Sequence, residues 1–392
     1  MEKIFDNTEA ALALKSDSEL ERARFLFELI KRDTLVKIGA AVTKFALKFR
    51  LPVEGLIRST VFDHFCGGIT EDDCLPVIDR MFSKNVHAVL DYSVEGKEEE
   101  GQFDKAMFKI LKTLEYARHN KAIPYIVFKP TGFGRFEIYE KLTAGKKLTQ
   151  EEQVEWNRIK NRYDRVCGKA FEYDVPILID GEESWMQDAA DELAESMMFK
   201  YNKETAIVFN TLQLYRHDRL DYLKELHQQA TEGRFKIGMK LVRGAYMEKE
   251  RERAIRLGYQ DPICKDKATT DALFNEVLIY MIKNLENMAL FVGTHNEEST
   301  YLVLQIMQRC KIAENDKRIW FGQLFGMSDH ISYNLANFGY NVAKYLPYGP
   351  VRDVMPFLFR RAEENTSVAG QTSRELYLIK NEMKRRKLVK SV

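Results

Sequence analysis

Eight short apolar runs, each followed by a longer amphipathic stretch, constrain this chain more than any other feature. They are VHAVLDYS (86–93), IPYIVFKPT (123–131), VPILIDGEE (175–183), TAIVFNTLQ (205–213), KIGMKLVRGAY (236–246), ALFVGTHN (289–296), RIWFGQLFG (318–326) and NVAKYLPYG (341–349). Runs this apolar suit strands buried on both faces, and strict alternation with helices requires parallel pairing through right-handed crossovers. Eight such units close a (β/α)8, TIM-like barrel. An open doubly wound sheet can be written from the same pattern. The barrel is favoured because polar residues gather at the C-terminal ends of the runs: Asp91 and Glu95, Lys129, Asp180 and Glu182, Gln213, Arg243 and Tyr246, His295 and Asn296, then Tyr345. Barrel enzymes build their sites from those ends.

The flanks differ from the barrel. Residues 1–84 read as an N-terminal helical arm, because SELERARFLFELIKRDTLVKIGAAVTKFALKF alternates charged and apolar positions at helical spacing. The barrel then spans 85–375, and 376–392 is a basic C-terminal helix or tail carrying Lys380, Lys384, Arg385, Arg386, Lys387 and Lys390. A solvated helix end explains such a tail; an anionic membrane surface is the sharper reading. Inside the long second connection, Thr149 followed by Glu152 predicts a helix start through a capping box.

Bulk charge narrows the partners. Among 392 residues, 60 are Lys or Arg and 59 Asp or Glu, a net charge of +1 that gives no reason to expect nucleic acid. Five cysteines without a C-x-x-C pattern point to a reducing compartment and away from disulfides or structural zinc. No second His or Cys stands at ligand spacing from His295, so no metal is expected. The N-terminus MEKIFDNTEA lacks the features of a signal or transit peptide, and no apolar stretch reaches the roughly 20 residues of a membrane span. The expectation is a cytoplasmic protein.

The stretch YLPYGPVRDVMPFLFRRAEENTS (345–367) carries the strongest chemical signal. With a helix from Asp353 to about Thr366, Phe357, Arg360, Arg361 and Glu364 fall at i, i+3, i+4 and i+7 on one face. Paired guanidinium groups on a half-apolar helix are costly unless they meet an anion, and arginine suits forked binding of carboxylate or phosphate. The plainer alternative is a surface Arg360–Glu364 pair worth only about 0.3 kcal/mol. Lys129 adds a third cation at the second strand end; it also suits a snorkelling lysine or a Schiff-base lysine. KPTGFGRFE lacks the third glycine of a dinucleotide fingerprint, so Gly132 and Gly134 read as loop formers.

Together, KLVRGAYMEKERERA, GTHNEES, FGQLFGM and the 345–367 stretch resemble the proline dehydrogenases, FAD-dependent enzymes that also form one domain of bacterial bifunctional proline utilisation proteins. The likeness runs in order from about Asp91 to Ser367 and is closest to the wording of the mitochondrial type. It implies FAD at the strand ends and a last helix lying over the barrel mouth. Lys129, Arg360 and Arg361 would then ion-pair with the carboxylate of proline, while Tyr246, Leu324 and Tyr345 enclose its ring. Asp91 and Asp180 match acids near substrate and flavin, and Glu95 matches an acid that pairs with Arg360 and closes the site. Gln213, Val242, Arg243, Gly244, Thr294, His295 and Asn296, with Arg361 and Glu364, fall where the family contacts FAD. Two residues depart from the pattern. Lys240 stands where many bacterial members have an arginine near the reactive flavin nitrogen, and Phe357 replaces a tyrosine.

The implied reaction is oxidation of L-proline to 1-pyrroline-5-carboxylate, with hydride passing to FAD and electrons to a membrane quinone, the protein touching the inner face of the membrane peripherally. Tyr345 should crowd a hydroxyl at the fourth ring carbon, which disfavours a 4-hydroxyproline dehydrogenase. A Schiff-base lyase using Lys129 or Lys240 needs no flavin. A non-enzymatic helical scaffold would leave the convergence of strand-end residues unexplained.

Overall fold

The computed structural model describes residues 3–32, 55, 58–92, 99–367 and 371–387, without the side chains of 59–60, 361–367 and 371. Glu95 lies outside the described residues, as do the side chains of Arg361 and Glu364. The strands are β1 (Val86–Tyr92), β2 (Tyr125–Phe128), β3 (Ile177–Ile179), β4 (Val208–Gln213), β5 (Ile237–Val242), β6 (Met288–Gly293), β7 (Ile319–Leu324) and β8 (Val342–Tyr348). They neighbour one another in chain order around a closed parallel barrel, with helices between strands. The eight apolar runs are therefore eight strands, and the open sheet is excluded. Pro130 explains why β2 is short: it has no N–H for the ladder and restricts the preceding Lys129 to extended backbone, φ −102 and ψ 139.

Two compact units partition the chain, one made of 96–322 and the other of 1–95 with 323–392. In the first, the parallel register from β2 to β7 stacks apolar side chains, and an aromatic group fills the space near the strand starts. The Tyr125 ring meets Phe209, Phe291 and Trp320 edge-on at centroid distances of 5.5, 5.3 and 5.4 Å. Burying the Tyr125, Phe209 and Phe291 rings is worth about 2 kcal/mol each. Gly322 makes the packing feasible, since a Cβ there would lie 2.0 Å from the Phe291 ring. The predicted capping box is present: Thr149 Oγ1 accepts from the Glu152 N–H at 3.2 Å and Glu152 accepts from the Thr149 N–H at 2.9 Å, starting the Gln150–Tyr173 helix.

In the second unit, β1 and β8 pair through seven residues, from Val86 with Val342 to Tyr92 with Tyr348. The Asp17–Ile30 helix uses Leu20, Ala23 and Phe27 against Leu376, Ile379 and Met383 of the Gln371–Arg385 helix, so the two ends of the chain share an apolar seam. Three of the six cations in the basic C-terminal segment, Lys380, Arg385 and Arg386, are paired within this unit. Arg385 makes a forked pair with the buried Glu382 at 2.9 Å. Arg386 donates to Glu382 and to the Lys15 and Leu12 carbonyls, and Lys380 pairs with Glu28 at 3.2 Å. Among the described residues no helix is long and apolar enough to cross a membrane.

Candidate active site

In the 96–322 unit, parallel register brings the ends of β2 to β6 to one edge, so residues far apart in sequence share it. Asp180, just past β3, is the junction. Its carboxylate accepts from Lys129 Nζ at 2.7 Å and from Lys240 Nζ, a buried lysine in the middle of β5. Its own N–H donates to the Phe128 carbonyl at 2.9 Å, which fixes the β3 end against β2. Burial alone would raise the Asp180 carboxyl, but Lys129 and Lys240 outweigh it and hold the group below the usual carboxylate range. Two lysines, on β2 and β5, are thus locked in position by one acid.

Glu182 ties together the next layer. Its carboxylate accepts from the Thr131 N–H at 2.9 Å and the Thr131 hydroxyl at 2.7 Å, pinning the turn that carries Lys129. Its carbonyl accepts from Gln213 Nε2 at 2.6 Å, and its N–H donates to Gln187 at 2.8 Å. Burial pushes the Glu182 carboxyl up to about 7 against the pull of Thr131 and Lys129. Because that value is raised from 4.5, the folded state holds this proton more tightly than the unfolded chain does. Its stabilising contribution is complete below pH 4.5 and is lost as pH rises through about 7. Glu182→Gln is accordingly expected to gain in melting temperature relative to the parent between about pH 5 and pH 8. Parallel melting curves over that range would mean that Glu182 is already ionised at the acid end.

At the β5 and β6 ends the arrangement centres on Arg243. Its guanidinium donates to Asp271 at 2.6 Å, Thr294 at 2.8 Å and Ser299 at 3.0 Å, and lies 4.4 Å from the Phe274 ring centroid. Thr294 Oγ1 also accepts from the Asn296 N–H at 3.1 Å, and Asn296 caps the Glu297–Arg309 helix by accepting from Ser299 N–H at 2.9 Å. His295 is half-buried between them. Val242, at the β5 end, accepts from Leu214 N–H at 2.8 Å, so the strand holds its line up to Arg243. Gly244 then has φ +120, and a Cβ there would meet the Tyr215 ring at 2.4 Å, so only glycine lets the exposed backbone turn here. Tyr246 is half-buried and stands at the residue before the Met247–Leu257 helix. That helix is anchored by the fully buried Glu250, which accepts from the Ser184 N–H at 2.6 Å and hydroxyl at 2.5 Å.

The second unit holds the other expected residues. Asp91 and Tyr345 lie buried on β1 and β8, and Leu324 is half-buried at the end of β7. The helix expected from Asp353 to Thr366 runs from Val351 to Ser367. Arg360 is half-buried on it, whereas Phe357 packs into an apolar cluster with Leu26, Ile30, Phe62 and Phe65. Glu182 is readable from the sequence as a strand-end polar residue but without its role, and Thr131 and Gln187, which it binds, are not singled out by any local pattern.

Comparison with known proteins gives this geometry a family. A profile described as proline dehydrogenase matches residues 74–374. The carbapenem antibiotics biosynthesis protein CarD of Pectobacterium carotovorum subsp. carotovorum is 34% identical over 333 residues, covering 85% of this chain and 86% of that protein. The mitochondrial proline dehydrogenase 1 of Dictyostelium discoideum is 30% identical over 380 residues, 86% of this chain and 66% of that one. The human proline dehydrogenase 1 is 39% identical over 243 residues, and the chain spans only 40% of its length. Among solved structures, proline utilization A of Bdellovibrio bacteriovorus superposes with a TM-score of 0.72 at 19% identity, covering 92% of this chain and 38% of that one. That last likeness bears on the fold alone. The profile match over most of the barrel and the long alignments at 30% identity or more carry the conclusion: this chain belongs to the proline dehydrogenase family.

Proposed function

We propose that this chain oxidises L-proline to 1-pyrroline-5-carboxylate using bound FAD, and that its electrons pass to a membrane quinone. The observation that carries this reading, beside family membership, is the Lys129–Asp180–Lys240 bridge. It fixes a cation at the β2 end, where the carboxylate of the substrate would bind, and another in β5, where a flavin would lie. The same bridge disfavours a Schiff-base lyase, because that chemistry needs a neutral amine and Asp180 engages both lysines as ammonium donors.

The residues present fit a flavin nucleotide. Gly244 leaves exposed backbone with no Cβ beside Arg243, the kind of surface a phosphate or carbonyl can approach, and Gln213 and Lys240 supply donors on neighbouring strands. Gln213, Lys240, Val242, Arg243, Gly244, Thr294, His295 and Asn296, with Arg361 and Glu364, would hold it. Held there, FAD would supply a two-electron acceptor for the hydride of the ring carbon beside nitrogen that does not bear the carboxylate, the amine proton being released to solvent. The tasks of the chain are then orientation and exclusion of water. Lys129, Arg360 and Arg361 bind the carboxylate, Tyr246, Leu324 and Tyr345 enclose the ring, and such positioning can remove several kcal/mol of the barrier. Asp91 and Glu95 complete the acidic side of the site, Glu95 as the partner of Arg360.

The purified protein is expected to be yellow and to bleach on addition of L-proline without oxygen, with colour restored by a soluble quinone analogue. A colourless protein that cannot be reconstituted with FAD would overturn the reading. Faster bleaching by 4-hydroxyproline would move the assignment to that substrate, against the crowding expected from Tyr345.

A further inference from the structure

Lys344 sits in the middle of β8 with no exposed surface, an environment a lysine tolerates only if its charge and its three N–H groups are all answered. Its ammonium donates to the Asp329 carboxylate at 2.8 Å, to the Met327 carbonyl at 2.7 Å and, more weakly, to the Leu324 carbonyl at 3.4 Å. Three donors therefore meet three acceptors. All three acceptors belong to one short connection, the turn from the end of β7 to the first residue of the Asp329–Asn337 helix. Lys344 is thus wired to the whole of that turn rather than to a single partner.

The turn needs such a tie. Gly326 has φ +79 and Ser328 φ +51, so its backbone enters the left-handed region twice, the second time at a residue with a side chain. A second link comes from the neighbouring residue of β8, since the Phe325 N–H donates to the Tyr345 carbonyl at 2.8 Å. Consecutive strand residues point to opposite faces. Tyr345 therefore presents its ring on one face of β8 while Lys344, on the other, grips the turn that bears Leu324. Beneath the turn, Asp329 is shared with Lys15 at 3.1 Å, and the Ser328 N–H donates to the buried Glu375.

We propose that Lys344 is a positioning residue for the substrate ring. By holding the 324–329 turn to β8, it fixes Leu324 relative to Tyr345, the two residues that would wall the proline ring; this rests on the proposed function above. The competing account is that Lys344 and Asp329 are only a buried ion pair. Such pairs can be exchanged for apolar residues with little loss of stability, whereas removing one partner strands the other. That difference separates the two accounts. Lys344→Met is expected to lower the melting temperature and to lower kcat/KM for L-proline about tenfold, chiefly through KM, with flavin content retained. Lys344→Met/Asp329→Leu should recover part of the melting temperature, the remainder being lost with the Lys15–Asp329 pair, while KM stays raised, because the donors that Lys344 gives to the Leu324 and Met327 carbonyls are gone. Recovery of KM together with stability, or an unchanged KM in the single variant, would overturn the proposal. Hydrogen exchange of the Phe325 amide reads the turn without reference to any substrate. It should be at least tenfold faster in both variants, and equal protection in all three proteins would overturn the positioning role. A parent protein that proline does not reduce would instead overturn the proposed function, and the ring-wall assignment with it.

Discussion

Arg360→Met is expected to raise the KM for L-proline by about 100-fold while leaving flavin bound and the fold intact. Arg360 is half-buried on the Val351–Ser367 helix, and that helix is held by Val354, Met355, Phe357 and Leu358 packing on Leu26, Ile30, Phe62 and Phe65. The apolar side of the helix therefore survives the substitution, since methionine keeps the length of the stem and removes only the guanidinium. A hydrogen bond to a charged group contributes about 1.5–3 kcal/mol, and two forked bonds to a carboxylate reach the upper part of that range. At 1.4 kcal/mol per tenfold, that is roughly two orders of magnitude in affinity. Proline methyl ester, which lacks the carboxylate charge, should lose most of this discrimination between parent and variant. Unchanged steady-state kinetics with proline would remove Arg360 from the carboxylate role.

What was legible in the sequence followed from periodicity, and what was not legible depended on register. VHAVLDYS or ALFVGTHN announces a buried strand by its own composition, and the polar residue at its end announces an edge of the barrel. Thr149 and Glu152 are three residues apart, so their capping box could be read directly. Asp180 and Lys240 are different. Each is readable as a strand residue, but only the parallel ladder from β3 through β4 to β5 brings them into one ion pair. Lys344 shows the same limit more sharply. Within NVAKYLPYG it looks like a polar interruption of an apolar run, and the turn that satisfies it becomes visible only when β7 and β8 are side by side. Phe357 illustrates a third case: helical spacing relates it to Arg360, and only tertiary packing shows that its ring joins an apolar cluster with Leu26, Ile30, Phe62 and Phe65. The seam between Leu20, Ala23 and Phe27 and the C-terminal Leu376, Ile379 and Met383 likewise joins opposite ends of the chain, beyond the reach of any local pattern.

Asp180→Asn should have the largest effect on stability, a loss of about 3–5 kcal/mol, because it leaves two buried or half-buried ammonium groups facing an amide. An asparagine matches the shape of the aspartate but can accept from only one of Lys129 and Lys240, and its NH2 group then points at the other. The pH dependence identifies the cause. Asp180 has its carboxyl depressed from 3.8, so its contribution is present above the unfolded value and is lost as pH falls through the folded one. The difference in unfolding free energy between parent and variant, from urea melts, should therefore be flat from about pH 8 to pH 5 and shrink as the parent is acidified below about pH 4. A difference that instead grew on acidification would assign the loss to some other group. Lys240→Met in the Asp180→Asn background should recover part of the stability by removing the more deeply buried cation, and Lys129→Met should recover less, because Lys129 retains some exposure. The reverse ranking would place the stranded charge on Lys129. In the Asp180→Asn variant proline binding is expected to weaken as well, since Lys129, the cation assigned to the carboxylate, has lost the acid that held it still.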